Sequence, residues 1–193
     1  MRSSQSTVCR PSTFTTARLT IAPASSNDLD VLWAIWREPL VRRYLFDDEP
    51  VDRERAGEVL ASSLRSADQG LGLWTVRPRS AAQVIGCVGL LRATMGAEGD
   101  PSLAGAIEPV VALAPACWGR GYGEESLRPL LAYAFGPLGL DWLAGFVDVP
   151  NLASHRLLVR LGFTATGECD GPRYRLRTYR LDSTVVPHQK EER

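Results

Sequence analysis

The sequence predicts a single domain of the α/β (α+β) class, with a mixed sheet of about six to seven strands flanked by about four helices. The chain has 193 residues, of which 45% are hydrophobic, enough for one sizeable core and too few for two ordinary domains. Patterns typical of antiparallel strands dominate the first half, whereas strand and helix patterns alternate after residue 106. This change predicts a βαβ crossover in the second half.

The N-terminal third is predicted to contain one strand and two helices. Residues 1–13 are rich in Ser and Thr and lack apolar periodicity, which predicts disorder. Residues 16–23 alternate as a strand does. Leucines and tryptophans at helical spacing then predict a helix that Pro39 ends, followed by an irregular segment at residues 42–50. A second helix is expected to begin near Asp52.

The middle of the chain is predicted to be mostly strand. Residues 73–76 and 84–91 are two strand candidates, close enough in sequence to form a hairpin. Residues 92–105 contain glycine and proline and are predicted to form a loop. Residues 106–113 form a further strand, and because Pro109 cannot donate to a ladder, we expect a bulge or a local loss of pairing there.

The C-terminal part is predicted to alternate between helix and strand. After a glycine-rich loop, an apolar stripe indicates a helix in which Pro129 removes one backbone bond. Residues 142–149 form a strand, and Asn151 opens a short helix that Gly162 caps. Further strands are expected at residues 163–166 and 174–181, so the domain spans residues 14–182 and a flexible tail covers residues 183–193.

Charge and cysteine content exclude several classes of function. The 22 Lys and Arg residues balance 22 Asp and Glu residues, so the basic footprint of a general nucleic-acid binder is absent. The four cysteines are scattered without a Cys-x-x-Cys pair and only two histidines are present, so no metal site is expected. The N-terminus lacks a signal-peptide core, and no apolar run is long enough to span a bilayer. We therefore expect a cytoplasmic protein with reduced cysteines and no membrane partner.

The glycine-rich loop is the strongest local signal for a ligand. Gly119, Gly121 and Gly123 alternate between a strand and a helix, an arrangement that suits a phosphate because the first helical N–H groups are unpaired. A nucleoside-triphosphate loop would need a lysine that is absent, and a dinucleotide fingerprint would need glycine where Glu124 stands. On these residues alone, a tight turn before a helix is equally compatible.

Two longer segments make the assignment more specific. The first is Glu108-Pro-Val-Val-Ala-Leu-Ala-Pro-Ala-Cys-Trp-Gly-Arg-Gly-Tyr-Gly-Glu-Glu125, and the second is Asn151-Leu-Ala-Ser-His-Arg-Leu-Leu-Val-Arg-Leu-Gly-Phe163. Together they resemble the paired acetyl-CoA motifs of GNAT-superfamily N-acetyltransferases. Upstream, Thr16-Ala-Arg-Leu19 and Val41-Arg-Arg-Tyr-Leu45 resemble the opening of the RimJ/RimL branch. Members of that branch acetylate N-termini of ribosomal proteins, or small amines and antibiotics.

The resemblance implies a GNAT fold in which the strands at residues 108–113 and 142–149 splay apart and acetyl-CoA, the cosubstrate, occupies the gap. The pyrophosphate would bind the N–H groups of the loop, and the pantetheine arm would pair with the first strand. An N–H near Val110 or Val111 would face the thioester oxygen. The cofactor-binding residues implied are Val111, Ala112, Leu113, Trp118, Gly119, Arg120, Gly121, Tyr122, Gly123, Glu124, Asn151 and Ser154.

Two residues are candidates for the chemistry that the resemblance implies. Glu108 would accept the proton of the ammonium, or else orient the substrate. Ser154 would protonate the leaving sulfur or hydrogen-bond the pantetheine. The tyrosine that serves as this acid in many relatives would fall near Leu158 and is absent. Asn151 has two compatible roles, as a helix N-cap and as a cofactor ligand. His155 is expected to lie at the surface.

The acceptor is predicted to be an amine, either a peptide N-terminus or a small molecule. The acidic residues 46–49 could attract a cationic amine, although such a run is more often a solvated loop. The protein is expected to be a monomer or a homodimer. Two other functions stay open: a catalytically silent acyl-CoA-binding or sensing module on the same fold, and a nucleotide-binding protein. The missing helix tyrosine and Pro109 beside Glu108 motivate the first of these.

Overall fold

The computed structural model describes residues 11–93, 103 and 105–185. Within these ranges, the chain forms eight β-strands and five α-helices. The strands are β1 (Phe14–Thr15), β2 (Leu19–Pro23), β3 (Gly72–Pro78), β4 (Gly86–Arg92), β5 (Ile107–Leu113), β6 (Trp142–Asp148), β7 (Thr164–Cys169) and β8 (Leu176–Asp182). The helices are α1 (Leu29–Trp36), α2 (Pro39–Leu45), α3 (Arg53–Arg65), α4 (Tyr122–Phe135) and α5 (Leu152–Arg160).

The strands form two antiparallel sheets that meet at β5 and β6. The first sheet has the order β1-β2-β3-β4-β5, and the second has the order β6-β8-β7. β5 and β6 lie side by side, but in the described part of the chain β5 pairs only with β4 and β6 only with β8. The expected GNAT-like sheet with one splayed strand pair is therefore confirmed.

The splayed pair belongs to a crossover unit. β5 leads into α4, and α4 returns the chain to β6, so the two strands run in the same direction. Ala106, which directly precedes β5, belongs to the same small apolar cluster as Ala144 of β6. The two strands are therefore aligned near their starts, and the gap between them opens toward the beginning of α4.

Helices cover both faces of the sheets. On one face, α4 and α5 bury Leu127, Leu130 and Leu158 against strand residues such as Val88 and Leu143. On the opposite face, α1, α2 and α3 form a second core around a separate set of side chains: Leu32, Trp36, Val41, Ala56, Leu60, Leu73, Cys87 and Ala112. Because consecutive strand residues point to opposite faces, each residue of β5 is assigned to one of these two cores.

α1 ends at Trp36, before Pro39, as predicted. The prediction that residues 42–50 are irregular is wrong in part, because Pro39 also begins α2: proline is tolerated at the first helical position, where its missing N–H would be unpaired anyway. The predicted irregular segment therefore begins at Phe46, and the helix count rises to five. The two-residue β1 is also additional, and Phe14 packs near Trp74 and Tyr133.

Pro109 does not cause the expected bulge, and the ladder between β4 and β5 runs in continuous register from Gly86↔Leu113 to Arg92↔Ile107. The flanking bonds, from Ala93 N–H to the Ala106 carbonyl and from Ala114 N–H to the Ile85 carbonyl, fix the even-numbered residues as those facing β4. Pro109 is odd-numbered, so its missing N–H would face the gap. No ladder bond is lost.

Two predicted helix ends and one predicted helix irregularity agree with the structure. Asp52 caps α3 by accepting a 2.8 Å hydrogen bond from the Arg55 N–H. Gly162 has a φ of 96°, and the following Phe163 N–H returns to the Leu158 carbonyl, which closes α5 as expected. α4 continues through Pro129, which removes one intrahelical bond.

Some predictions cannot be compared with the structure. The expected disorder of residues 1–10, most of the loop at 92–105 and the tail beyond residue 185 lie outside the described residues. Among the helices that are described, none has both the length and the apolarity to cross a bilayer.

We expect Gly89→Ala to destabilise the fold, because β4 passes close to its neighbours at this residue. An added Cβ would lie 2.6 Å from the Gly72 carbonyl oxygen and 2.7 Å from Leu73 Cδ2. Overpacking of this kind costs roughly 1–3 kcal/mol in the free energy of unfolding. The matched control is Gly57→Ala in α3, where the nearest atom is Leu29 Cδ2 at 3.9 Å, and this change should stabilise by about 1 kcal/mol. Urea denaturation of both variants measures the difference, and equal stabilities would contradict the packing at Gly89.

Candidate active site

The glycine loop joins β5 to α4 and leaves several backbone N–H groups free. Gly119 and Gly121 have φ values of 72° and 77°, in the left-handed region that favours glycine. Gly121 is the N-cap of α4, and the first bond of the helix runs from the Glu125 N–H to the Gly121 carbonyl. The N–H groups of residues 121–124 therefore have no partner within the helix, and the helix dipole favours an anion there.

A polar contact with the N-terminal segment fixes the first turn of α4. Thr16 Oγ1 donates to Glu125 Oε1 at 2.6 Å, and the Arg18 backbone N–H donates to the same oxygen at 2.9 Å. The Arg18 guanidinium forms an ion pair with the other carboxylate oxygen and lies over the Tyr122 ring. Although partial burial opposes ionisation, these hydrogen bonds and charges lower the pKa of Glu125. Arg18 and Glu125 together form a neutral pair, so this contact fixes the first turn of α4 without adding net charge beside the loop.

The sequence pattern alone indicates no role for Thr16 or Arg18. Both lie in the segment that resembles the RimJ/RimL branch, and Arg18 is 107 positions from its partner Glu125. Spacing along the chain contains no signal for a contact of that length. An acidic residue in the first turn of a helix was the one available hint, since such residues are favoured by the dipole even without a partner.

Glu124 links α4 to α5. Its carboxylate accepts hydrogen bonds from Arg128 and from Arg160, the latter at 3.0 Å. Both arginines lower the pKa of Glu124, with the hydrogen bond from Arg128 as the larger cause. A Cβ at Gly123 would lie 3.5 Å from Leu157 Cδ2, so the two helices pack closely at this level. The Glu124 side chain is therefore occupied, and only its backbone N–H is available to a ligand.

The edge of β5 presents backbone groups to the gap. The odd-numbered residues face away from β4, so the N–H groups of Val111 and Leu113 point toward β6, whereas Val110 and Ala112 pair with Gly89 and Cys87. Of the two N–H groups considered at the sequence level, Val111 is the one that faces the gap. Trp118 closes the end of this edge, because its Nε1 donates to the Leu113 carbonyl at 2.7 Å.

Glu108 lies on the opposite face of β5 from α4. Its even number places the side chain on the same face as Val110 and Ala112, which pack against α1, α2 and α3. Burial raises the pKa of the Glu108 carboxyl to about 7. Within the described ranges, no hydrogen bond or ion pair engages this carboxyl, so desolvation is not offset. Such a group changes protonation state near neutral pH.

The start of α5 holds Asn151 and Ser154. Asn151 caps the helix by accepting a 3.3 Å hydrogen bond from the Ser154 N–H, so the N-cap role is observed. In the described structure, the Asn151 side-chain NH₂ and the Ser154 hydroxyl make no hydrogen bond. Leu158 is buried and packs against Gly145, so the position where relatives carry a tyrosine belongs to the core.

Two other sequence-predicted residues differ in their surroundings. Arg120 is exposed, and no partner is found for it in the described structure. His155 is only half-exposed rather than a free surface residue, because Nδ1 lies 2.7 Å from the Tyr179 hydroxyl and Nε2 lies 3.1 Å from the Val149 carbonyl oxygen. The imidazole therefore joins α5 to β6 and β8, which spacing on one helix cannot show.

An acidic cleft of about 540 Å³ opens beyond the end of α2. Its lining residues are Asp47, Asp48, Glu49, Pro172 and Arg173. Asp47 and Asp48 both have positive φ, 53° and 67°, and Arg42 holds the turn by donating to the Asp48 carbonyl. These residues belong to the acidic run that the sequence indicates could attract a cationic amine, and the run lines one side of this open cleft.

Comparisons with known proteins agree with this arrangement. The family model described as the acetyltransferase (GNAT) domain matches residues 18–164. The chain is 24% identical over 160 residues to the uncharacterized N-acetyltransferase YoaA of Bacillus subtilis, covering 79% of this chain and 82% of that protein.

Solved structures share the fold. A putative GnaT-family acetyltransferase from Bordetella pertussis has a TM-score of 0.76 at 22% identity, covering 87% of this chain and 98% of that one. Spermidine N-acetyltransferase from Vibrio cholerae, solved in complex with CoA and spermine, has a TM-score of 0.70 at 18% identity, covering 88% and 98%. Because the family model covers more than half of the chain, the protein belongs to the acetyltransferase (GNAT) domain family.

Proposed function

We propose that this protein is an N-acetyltransferase that transfers an acetyl group from acetyl-CoA to a primary amine within one ternary complex. The observation that carries the proposal is the unpaired edge of β5, which leads directly into the glycine loop and the first turn of α4. A thioester cofactor that contains a pantetheine arm and a pyrophosphate matches both features. The amides of the arm can pair with the strand edge, and the pyrophosphate is an anion that suits the helix terminus. GNAT acetyltransferases use this cofactor.

The proposed cofactor position follows from these groups. The pyrophosphate accepts hydrogen bonds from the N–H groups of residues 121–124, with positive charge added by Arg120 from the exposed side of the loop. The pantetheine arm lies along β5 and uses the gap-facing Leu113 N–H and Val111 carbonyl, which leaves the Val111 N–H for the thioester oxygen. Trp118 covers the far end of this edge through its bond to Leu113. Ala112, with its backbone in the ladder, contributes by holding the edge in register.

The chemistry needs a proton acceptor, a stabilised oxyanion and a leaving thiolate. Glu108, with its pKa raised to about 7, accepts a proton from the ammonium directly or through a water. The neutral amine attacks the thioester carbon, and the Val111 N–H donates to the developing oxyanion, a contribution of roughly 3 kcal/mol for a well-placed donor. The C–S bond then breaks, and the second amine proton passes to the leaving thiolate, which gives the amide and free CoA thiol. The Ser154 hydroxyl hydrogen-bonds the leaving sulfur while Asn151 orients the pantetheine amide.

A direct transfer is favoured because no described cysteine is suited to carry the acetyl group. Burial raises the pKa of Cys87 to about 12, which removes its thiolate at neutral pH. Cys169 is buried at the end of β7, away from the β5–β6 gap. Cys117 is partly exposed beside the loop, where the pyrophosphate rather than the acetyl group would lie.

The proposal extends to the branch of the family, the bounds of the catalytic domain and the class of acceptor. Membership of the RimJ/RimL branch is proposed from the likeness of residues 16–19 and 41–45 to the opening of that branch. The catalytic domain spans residues 14–182, from the start of β1 to the end of β8. We propose a cytoplasmic enzyme that acts as a monomer or homodimer on a peptide N-terminus or a small amine.

The activity is tested by incubating the purified protein with acetyl-CoA and a panel of amines while free thiol is measured. Initial rates at varied concentrations of both substrates should give intersecting double-reciprocal lines, as a ternary complex requires, and acetyl-CoA alone should leave the protein unmodified in its intact mass. Parallel lines with an acetylated protein would contradict direct transfer. Tight CoA binding without turnover for any amine would instead support a silent acyl-CoA-binding module.

Glu108→Gln tests the proposed base. We expect kcat at pH 8 to fall by about 10²-fold or more, while the Kd for CoA changes less than about twofold. In the wild-type protein, the raised pKa means that Glu108 is protonated and inactive below pH 7 and ionised above it, so kcat/KM should rise through about pH 7. In the Glu108→Gln variant, kcat/KM should not rise through this pH range. Glu58→Gln on the exposed face of α3 is the control, and an unchanged rate in Glu108→Gln would remove Glu108 from this role.

A further inference from the structure

The acidic cleft contains more negative charge than the protein itself neutralises. Arg173 forms an ion pair with Asp48 at 2.9 Å, and Arg42 approaches the same carboxylate at 3.7 Å. In the part of the chain that the structure describes, the side chains of Asp47 and Glu49 have neither a hydrogen bond nor an ion pair. Both available arginines are therefore directed to Asp48, and the other carboxylates of the cleft lack a bonded cation.

Asp148 provides an independent observation that points to a ligand. It is the last residue of β6 and is 7% exposed, yet its buried Oδ1 has no hydrogen-bond partner among the described residues. The Asp148 carboxyl interacts electrostatically with Asp47 and Arg173, two residues that line the cleft. Burial is the larger cause and the charge of Asp47 the second, and together they raise the pKa of Asp148 to about 6.

A buried carboxylate without a partner is costly, and structures retain one chiefly where a ligand satisfies it. An ammonium group is the ligand that fits, because it supplies both the missing hydrogen-bond donors and the missing positive charge. The apolar cores nearby offer no such donor, and Arg173 is already shared with Asp48. The site formed by Asp47 and Asp148 is therefore matched to a cation brought in from outside.

This site lies on the same face of the sheet as Glu108. Ala144 and Phe146 of β6 cluster with Ala106 on the face that also carries the even-numbered residues of β5, and Asp148 continues their alternation. Because Ala106 and Ala144 are grouped near the strand starts, Phe146 is roughly level with Glu108. Asp148 is then two residues further along, about 7 Å in the strand direction. A short aliphatic chain spans that length.

We propose that the acceptor is a small diamine, with one amino group acetylated beside Glu108 and a second ammonium bound by Asp148 and Asp47. This inference rests on the proposed function, since it names the acceptor of the same site. It predicts discrimination between amines that have the same length but differ in the second charge. The monoamine would leave the Asp148 carboxylate buried and unpaired in the complex, whereas the diamine would satisfy it.

The test compares 1,4-diaminobutane with 1-aminobutane at saturating acetyl-CoA. We expect kcat/KM to be at least about 100-fold higher for the diamine, since losing a charged hydrogen-bond partner in a site built for one is strongly selective. Asp148→Asn should raise KM for the diamine about 10-fold or more and leave kcat/KM for the monoamine within about twofold. Asp141→Asn, an exposed residue just before the same strand, is the matched control and should change neither.

Equal kcat/KM for the two amines in the wild-type protein would overturn the proposal, as would an equal loss for both amines in Asp148→Asn. Calorimetry separates this inference from the proposed activity. Binding of 1,4-diaminobutane to the CoA complex that is lost in Asp148→Asn supports the site even if no acetyl group is transferred, and the absence of binding refutes it.

A stability measurement tests whether Asp148→Asn remains folded. A carboxyl whose pKa is raised on folding disfavours the folded state once it ionises, so the wild-type protein should lose stability as the pH rises from about 4 through 6. The neutral asparagine of the variant does not ionise, so the variant should not lose stability over this pH range. The melting temperature of Asp148→Asn should therefore match or exceed that of the wild-type protein at pH 8. A collapse of the variant's fold at pH 8 would show instead that Asp148 has a structural role.

Discussion

The missing ladder between β5 and β6 is the constraint on which the site depends. Each strand is fully paired on its other side, β5 with β4 and β6 with β8, so the gap exposes backbone groups within an otherwise rigid sheet. Alternate residues of β5 direct their backbone groups to opposite sides of the strand, and this alternation determines which groups face the gap. The N–H groups of Val111 and Leu113 face it, whereas Pro109, which has no N–H, also faces the gap and so leaves the ladder with β4 intact. A ligand that completes this edge gains hydrogen bonds at little cost in reorganisation.

Charged contacts keep the glycine loop aligned with that gap. Glu125 is held by Thr16 and Arg18 from the N-terminal segment, and Glu124 is held by Arg160 from α5. Two adjacent carboxylates in one helical turn thus connect α4 to distant parts of the fold. Both are half-buried, and both have lowered pKa values, so the contacts persist over the neutral pH range. The helix terminus that would hold an anion is therefore fixed from two sides.

Much of the fold could be predicted from the sequence because its signals are local: apolar alternation for the strands, Asp52 and Asn151 as caps, and Gly162 as a helix end. The failures have physical causes. α1 ends before Pro39 as expected, but residues 42–45 were predicted to be irregular and are helical, because proline also suits the first position of a new helix. The contact of Arg18 with Glu125 and the position of Asp148 beside Asp47 depend on tertiary structure, for which spacing along the chain has no signal.

Amide hydrogen exchange at Val111 tests the central claim most directly, because it observes the strand edge itself and does not depend on the acceptor. In the free protein, the Val111 N–H should exchange with solvent faster than is usual for a residue inside a strand. The N–H groups of Val110 and Ala112, which are bonded in the ladder, should be protected from exchange. Saturating acetyl-CoA should slow exchange at Val111 by about 10-fold or more and leave its two neighbours almost unchanged. A Val111 amide already protected in the free protein, or unaffected by acetyl-CoA, would contradict the account.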